Sequence, residues 1–403
     1  MAINSYHNLA VAAGAFLTFA LLEAAPAQAA SFTFTNIADT NGLFGGFALG
    51  YGPAISDNGT VAFFGGLKTG GSGLFTGNGS AITPIVLENN ADSTSPFTSV
   101  LGDLSINNNG TVAFNGQLTT GGGGLFTSNG SSITQIAIGS SPSINNIGTV
   151  AFSANLPGVG QGIFTSNGDS ITTIADTSGS FSTFGGDVAI NDNGTVVFDA
   201  YLKAGGEGIF TGNGGSATTM ADTSGSFSSF GFDPDINDSG TVIFTAALDT
   251  GGFGVFTGNG GSITTIADTS GPFEYFYNTS INNSGTVAFS ALLKEGGFGI
   301  FTGPDPVADK VIAFGDSVFG STFTFPEFPR QGLNNSGQLT FYGFFGNQYS
   351  AIVRADPISN PPTSVPEPSS VLGLLSMGAL GTSFRHKRKQ KVASRVTVMP
   401  GDF

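Results

Sequence analysis

The sequence predicts an all-β fold, a seven-bladed β-propeller. This prediction rests on three observations. The sequence contains seven copies of one turn motif, it is rich in glycine and phenylalanine, and its two ends are complementary parts of one repeat. The 403 residues include 63 glycines, 39 phenylalanines and no cysteine, and only 10% are charged, against about 25% in an ordinary soluble domain. Such a composition disfavours helical bundles and indicates short strands joined by tight turns.

The repeat is clearest at a turn in which Asn or Asp precedes glycine and an apolar strand follows. Asn and Asp side chains form Asx turns there, and glycine takes the positive φ that the turn needs. The turn glycines are spaced 38 to 52 residues apart, as expected for four-stranded propeller blades. They are Gly59, Gly110, Gly148, Gly194, Gly240, Gly285 and Gly337.

One repeat predicts four strands, at residues 187–191, 195–202, 208–212 and 217–222. Such short apolar strands must be covered by the neighbouring repeat. The predicted core between blades therefore has one residue per repeat from each of three strands. The first strand supplies Ile55, Ile106, Ile144, Ile190, Ile236, Ile281 and Leu333. The second supplies Phe63, Phe114, Phe152, Phe198, Phe244, Phe289 and Phe341, and the third Phe75, Phe126, Phe164, Phe210, Phe256, Phe301 and Val353.

The chain ends are complementary fragments of one repeat. Residues 31–39 match a fourth strand, whereas the last repeat stops after its third strand, at residues 349–354. We therefore expect the N-terminal strand to complete the last blade, which closes the ring and removes an exposed sheet edge. A β-solenoid with two rungs per repeat is the alternative.

The N-terminal residues 1–29 have the pattern of a secretory signal peptide. An apolar stretch covers residues 9–22, and Ala27 and Ala29 frame a cleavage site before Ala30. No Lys or Arg lies near Met1, which departs from the usual pattern. We expect the propeller, residues 30–355, to be exported by the secretion machinery and released by signal peptidase.

The C-terminal tail has three parts in order. A Pro-rich linker, residues 356–370, is followed by an apolar segment, 371–384, and a basic tail, 385–403. Fourteen residues span ~21 Å as a helix, less than a ~30 Å hydrocarbon core, so we expect a weak transmembrane segment. Basic residues beyond it stay in the cytoplasm. The residues expected to direct processing are Pro366, Glu367, Pro368, Arg385, Lys387, Arg388 and Lys389.

This tail resembles the PEP-CTERM sorting signal of exported bacterial proteins. The resemblance implies an exosortase-type partner, a membrane-embedded Cys peptidase-transferase acting near Pro-Glu-Pro. It also implies tethering at the inner membrane during sorting, and then a location at the cell surface or outside the cell. Residues 390–403 extend past the usual end of such tails. The repeats resemble NxxGxxVF tandem-repeat proteins and the blades of TolB-like propellers, a resemblance that implies no reaction.

Charge and missing residues limit the chemistry of the exported body. Residues 30–364 contain six basic and 24 acidic residues, a net charge of −18, so nucleic acid is not expected as a partner. His7 lies in the leader and His386 in the tail, which excludes Ser-His-Asp and Cys-His catalysis and His or Cys metal sites from the body. No cofactor is expected. The Asn and Asp turns leave calcium open, although no D-x-D-x-D-G loop is present.

One position varies while its surroundings repeat, three residues before the core Ile or Leu of each first strand. Topology places it near the mouth of the central channel. The candidate ligand-binding residues at this position are Asp103, Asp187, Asp233, Asn278 and Arg330. We expect a non-catalytic surface or matrix platform, with an exopolysaccharide or a surface protein as partner. The alternatives are a glycan- or cation-binding module and a carboxylate-dependent glycan hydrolase or lyase.

Overall fold

A computed structural model describes residues 31–48, 50–231 and 233–358. The predicted signal peptide, most of the linker, the apolar segment and the basic tail lie outside these ranges, so Ala27, Ala29, the Pro-Glu-Pro residues and the basic cluster stay predictions. Within the described ranges the protein has 31 strands and one turn of 3₁₀ helix, Gly346–Gln348. No helix in that part of the chain is long and apolar enough to cross a membrane.

The strands form seven antiparallel sheets, so the predicted seven-bladed propeller is confirmed. The first strand of the described residues, β1 (Phe32–Asp39), belongs to the last blade. Blade 1 contains β2 (Phe44–Phe47), β3 (Ala54–Ile55), β4 (Val61–Leu67), β5 (Ser72–Gly77) and β6 (Ile82–Leu87). Blade 2 contains β7 (Phe97–Ile106), β8 (Val112–Leu118), β9 (Gly123–Ser128) and β10 (Ile133–Ala137). Blade 3 contains β11 (Ser140–Ile144), β12 (Val150–Leu156), β13 (Gly160–Ser166) and β14 (Ile171–Asp176).

The remaining four blades follow the same order. Blade 4 contains β15 (Phe181–Ile190), β16 (Val196–Leu202), β17 (Glu207–Gly212) and β18 (Thr218–Asp222). Blade 5 contains β19 (Phe227–Phe230), β20 (Asp235–Ile236), β21 (Val242–Leu248), β22 (Phe253–Gly258) and β23 (Thr264–Asp268). Blade 6 contains β24 (Phe273–Ile281), β25 (Val287–Leu293), β26 (Phe298–Phe301) and β27 (Lys310–Ala313). Blade 7 contains β28 (Ser317–Val318), β29 (Ser321–Glu327), β30 (Leu339–Phe345) and β31 (Ser350–Pro357), with β1.

The four strands predicted for one repeat are found in blade 4, with one correction. The last three agree within one residue, but the first strand, β15, begins at Phe181 rather than at residue 187. The register of β15 against β16 shifts between Phe184 and Val188, so the strand pairs on both sides of a bulge. A bulge interrupts the alternation of side chains along a strand. The first half of β15 could therefore not be recognised from the sequence pattern.

The predicted core between blades is confirmed, because every residue assigned to it is buried. Second- and third-strand rings face each other; the ring centroids of Phe198 and Phe210 are 6.0 Å apart. A third ring at the start of the first strand, which was not predicted, packs edge-on against this pair. In blade 4 it is Phe181, whose ring centroid lies 4.9 Å from that of Phe210. The blade 4 cluster also includes Ala151 and Ile163 of blade 3, so each blade covers its neighbour.

The ring closes through the two ends of the described chain. Strand β1 pairs antiparallel with β31, from Phe32 opposite Pro357 to Asp39 opposite Ala351. The last blade therefore has the order β1-β31-β30-β29. This pairing confirms closure by the N-terminal strand and excludes the β-solenoid.

Asn and Asp side chains of the repeated turns join neighbouring blades. Asn191 accepts hydrogen bonds from the backbone N–H groups of Asn193 and Thr195 and donates one to the carbonyl of Asn237 in the next blade. The residue after this Asn also links the blades: its backbone N–H donates to the side-chain Oδ1 atom of the equivalent residue in the following blade. The acceptors form a complete ring: Asn108, Asn146, Asp192, Asp238, Asn283, Asn335 and Asp57. These repeated residues therefore hold the ring together.

Candidate functional site

Two side chains of blade 7 cross the central channel. Nη1 of Arg330 donates a hydrogen bond to the carbonyl of Val188 in blade 4. Nε2 of Gln331 donates to Oγ of Ser143 in blade 3, at 2.7 Å. Blades 3 and 4 lie opposite blade 7 in a ring of seven, so both side chains span the axis. Both side chains line a cavity of about 420 Å³, and Gln331 also lines a cavity of about 130 Å³ beside the repeated Asn and Asp turns.

The larger cavity, which we call the mouth cavity, brings together all the residues predicted to bind a ligand. Its lining includes Asp103, Asp187, Asp233, Asn278 and Arg330. Glu327 and Gln331 also line it, and neither was predicted from the repeat. The variable position of the repeat therefore faces one space, whereas ligand binding by these residues stays a prediction.

Bulges in the innermost strands present the mouth residues. Gly186, with φ of 112°, precedes Asp187, and Gly102, with φ of 114°, precedes Asp103. Both glycines lie where the first strand shifts register against the second, and glycine takes such φ values without strain from a Cβ atom. Asp233 itself has a left-handed backbone, with φ of 62°. The mouth residues thus lie within or beside strands.

The mouth cavity is acidic and its carboxyl groups are partly desolvated. Burial raises the pKa of Asp187, opposed by the nearby Arg330 guanidinium, while Asp103 raises it further. Burial also raises the pKa of Asp233 to about 6, with repulsion from Asp187 next in importance. Both shifts follow the rule that a low dielectric disfavours the charged form. Including Glu327, four carboxyl groups share this cavity with one guanidinium.

A further buried carboxyl group, Asp199 on β16, lies behind the mouth. It packs against Gly185 in the β15 bulge, and its Oδ1 atom has no hydrogen-bond partner. Burial, with repulsion from Asp187 second, raises the pKa of Asp199 to about 7. Its signal in the sequence is an acidic residue inside the apolar segment VVFDAYL. The other blades have Phe64, Asn115, Ser153, Thr245, Ser290 and Tyr342 there.

The chemistry available to the mouth is the binding of positive charge or of hydroxyl groups. Carboxylates accept hydrogen bonds from ammonium and hydroxyl donors, and the Asn278 amide both donates and accepts. Within residues 31–48, 50–231 and 233–358, no group of three or more His, Cys, Asp or Glu side chains is arranged to hold a metal ion.

The fold defines a β-propeller, and the C-terminal sequence adds a sorting signal. Residues 364–389 match the PEP-CTERM protein-sorting motif, which confirms the predicted signal and implies export, membrane-anchored sorting and processing by an exosortase-type system. The chain belongs to the family of unknown function DUF7453, whose model matches residues 127–351.

Similarity to solved structures concerns the fold. The puromycin-hydrolyzing peptidase of Mycobacterium tuberculosis has 11% identity and a TM-score of 0.50, with 84% of this chain and 56% of that one covered. Oligogalacturonate lyase of Vibrio parahaemolyticus has 12% identity and a TM-score of 0.47, with 81% of this chain and 97% of that one covered. YCF48 from Cyanidioschyzon merolae has 12% identity and a TM-score of 0.43, with 81% of this chain and 99% of that one covered. No curated protein matches the sequence.

Proposed function

We propose that this protein is a non-catalytic binding platform at the cell surface or in the extracellular matrix, and that the mouth cavity holds a cationic or hydroxyl-rich part of its ligand. One observation carries the proposal: the position that varies from blade to blade lines one cavity, whereas the surrounding positions repeat. The variation places three carboxyl groups, an amide and a guanidinium around one space.

The charge of the mouth supports a cationic or neutral ligand. The Arg330 guanidinium is buried, donates to Val188 and faces the carboxyl groups, so little of its charge is available to an anion. Asp187, which lines the cavity, accepts a hydrogen bond from Oγ of Ser141 at 3.2 Å. An acidic ligand would meet uncompensated carboxylates, and like charges at close range disfavour binding.

The sorting signal supports the location. A chain that is exported and anchored for sorting meets its ligand outside the cytoplasm. An exopolysaccharide or another surface protein is the partner that such a location offers, and the acidic mouth favours an uncharged or amine-bearing one.

One observation favours a second candidate, a carboxylate-dependent glycan hydrolase or lyase. The pKa of Asp199 near 7 and its proximity to Asp187 would provide two carboxyl groups with different protonation at neutral pH, which acid-base catalysis needs. Asp199, however, is not among the residues that line the mouth cavity. Binding without turnover is therefore the better-supported function.

The test is a binding screen of the exported protein against neutral, amine-bearing and acidic glycans, with product release followed by chromatography. We expect retention of neutral or amine-bearing glycans and no product. The double variant Asp187→Asn, Asp233→Asn should bind at least about tenfold more weakly, because each lost charged hydrogen bond is worth about 1.5–3 kcal/mol. Asp169→Asn, in an exposed turn, is the control. Retention of none of these glycans would refute the proposal, and turnover that the double variant abolishes would establish the second candidate.

A further inference from the structure

A continuous row of aromatic rings crosses blades 5, 6 and 7. Adjacent ring centroids are 5.0, 4.9, 4.8, 4.9 and 6.2 Å apart along the row. Its members, in spatial order, are Phe253, Tyr275, Tyr277, Phe298, Phe325 and Phe344. We call this surface the aromatic row.

The aromatic row borders the mouth cavity. Tyr277 directly precedes Asn278, and Phe325 lies two residues before Glu327 on β29; Asn278 and Glu327 both line the cavity. Phe344 lies opposite Phe325 in the register of β29 and β30. A ligand lying on the row can therefore also reach the mouth.

Most of the rings are additions to the repeat, although Phe253 and Phe344 also pack against core clusters. Other blades have small residues where blades 6 and 7 have Tyr275 and Phe325. These are Gly46, Ser99, Thr183 and Ser229. Where blades 5 and 6 have Phe253 and Phe298, blades 1 to 4 have Ser72, Gly123, Gln161 and Glu207. The blade fold therefore forms without these rings.

Several of the rings are exposed to solvent. Tyr275 is 45% exposed, and Tyr277 and Phe325 are each 42% exposed. Single exposed apolar side chains are ordinary, but a contiguous apolar patch bordered by polar groups marks a binding surface. These three exposed rings, with the half-buried Phe253 and Phe298 between and beside them, form such a patch on adjacent blades.

We infer that the aromatic row binds a polysaccharide whose sugar units carry free amino groups. The C–H face of a pyranose ring packs on an aromatic face while its hydroxyl groups stay in water, and a row of closely spaced rings suits a chain of sugar units rather than one sugar. The charge of the surroundings selects the amine. Glu274 directly precedes Tyr275 in the chain, Glu327 follows Phe325 by two residues on β29, and the mouth contains three aspartates.

Binding of the amino groups at the mouth rests on the proposed function. Stacking of the sugar rings on the aromatic row does not depend on it. Cation–aromatic attraction also favours an ammonium group near these rings. An acidic polysaccharide would meet the same carboxylates with repulsion, which worsens at low salt.

The test measures binding of partly deacetylated chitosan oligosaccharide to the exported full chain by titration calorimetry. We expect the double variant Tyr275→Ser, Phe325→Thr to weaken binding at least about tenfold, the loss of about 1.4 kcal/mol or more. These are the residues of blades 5 and 4 at the same positions, so the variant should fold with the same unfolding midpoint. Tyr201→Ser removes a tyrosine of equal exposure, 45%, outside the row, and should bind normally. Phe325→Tyr should also bind normally.

Two comparisons separate this inference from the proposed function. If the Asp187→Asn, Asp233→Asn variant loses binding and the row variant retains it, the row inference is overturned and the mouth proposal stands. The opposite pattern supports the row and refutes the mouth as the ligand site. The assignment of the amine is overturned if fully N-acetylated oligosaccharide binds as tightly as partly deacetylated chitosan oligosaccharide, or if oligoalginate binds more tightly than it. Self-association that disappears in the row variant would make the row a contact between copies and would likewise overturn the inference.

Discussion

Replacing Asp199 by threonine should change how stability depends on pH. Blade 5 has Thr245 at the corresponding position of its second strand, so the fold accepts threonine there. In the native protein the Asp199 carboxyl group is buried, and its Oδ1 atom has no hydrogen-bond partner. Ionising it without a partner costs free energy that threonine does not incur.

The sign and size follow from the pKa of Asp199. The unfolded chain loses this proton near pH 3.8, whereas the folded protein holds it to about pH 7. Between these values the folded state binds more protons, so the free energy of unfolding falls as pH rises. One pKa unit corresponds to about 1.4 kcal/mol, so Asp199 should lower stability by about 4 kcal/mol at pH 8 relative to pH 3.5.

Urea denaturation of native protein and Asp199→Thr between pH 3.5 and pH 8.5 measures this effect. The difference between the two free energies of unfolding should grow in favour of the variant from pH 4 to pH 7 and then level off. Asp233 titrates in both proteins and largely cancels in the difference. Asp169→Thr, at an exposed turn, should show no such trend. A difference that stays constant over the whole pH range would refute the reasoning.

Three further predictions concern the ring. Arg330→Ala should lower the free energy of unfolding by about 3–5 kcal/mol at pH 7, because it removes the guanidinium whose charge offsets the buried Asp187 and Asp233 carboxyl groups; urea denaturation showing less than 1 kcal/mol would contradict this. Asn191→Ala should lower the free energy of unfolding by about 1–3 kcal/mol, because it removes hydrogen bonds within the turn and to the next blade. Thermal unfolding measures this loss, and an equal effect of Asn167→Ala, in an exposed turn, would argue against that role. Deleting residues 32–39 should expose the edge of β31 and cause self-association and rapid proteolysis; a monomeric, protease-resistant product by size exclusion and digestion would count against closure.

The repeat made most of the fold predictable. Glycine turns such as Gly194 set the period, and the core rings such as Phe198 followed because one position in each blade meets the same surroundings. Closure was readable because residues 31–39 supply the strand that the last repeat lacks. The third core ring, Phe181 in blade 4, was missed because the bulge separates it from the motif that defines its strand.

The site was predictable only in part. Comparing repeats found the position of Asp187 and Asp233, because variation against a constant background stands out. The bridge formed by Gln331 depends on which blades lie opposite each other, which no local pattern reports. Asp199 lies inside an apolar strand, and the sequence does not show that its side chain has no partner.

The position of β31 has a mechanical consequence. The sorting tail follows this strand directly, and β31 is hydrogen-bonded to β30 on one side and to β1 on the other. Tension transmitted through the tail would act along β31, so both ladders would resist in shear rather than opening one rung at a time. The start of the propeller would thus bear part of any force applied at its end, and detaching the tethered strand would require breaking the ring itself.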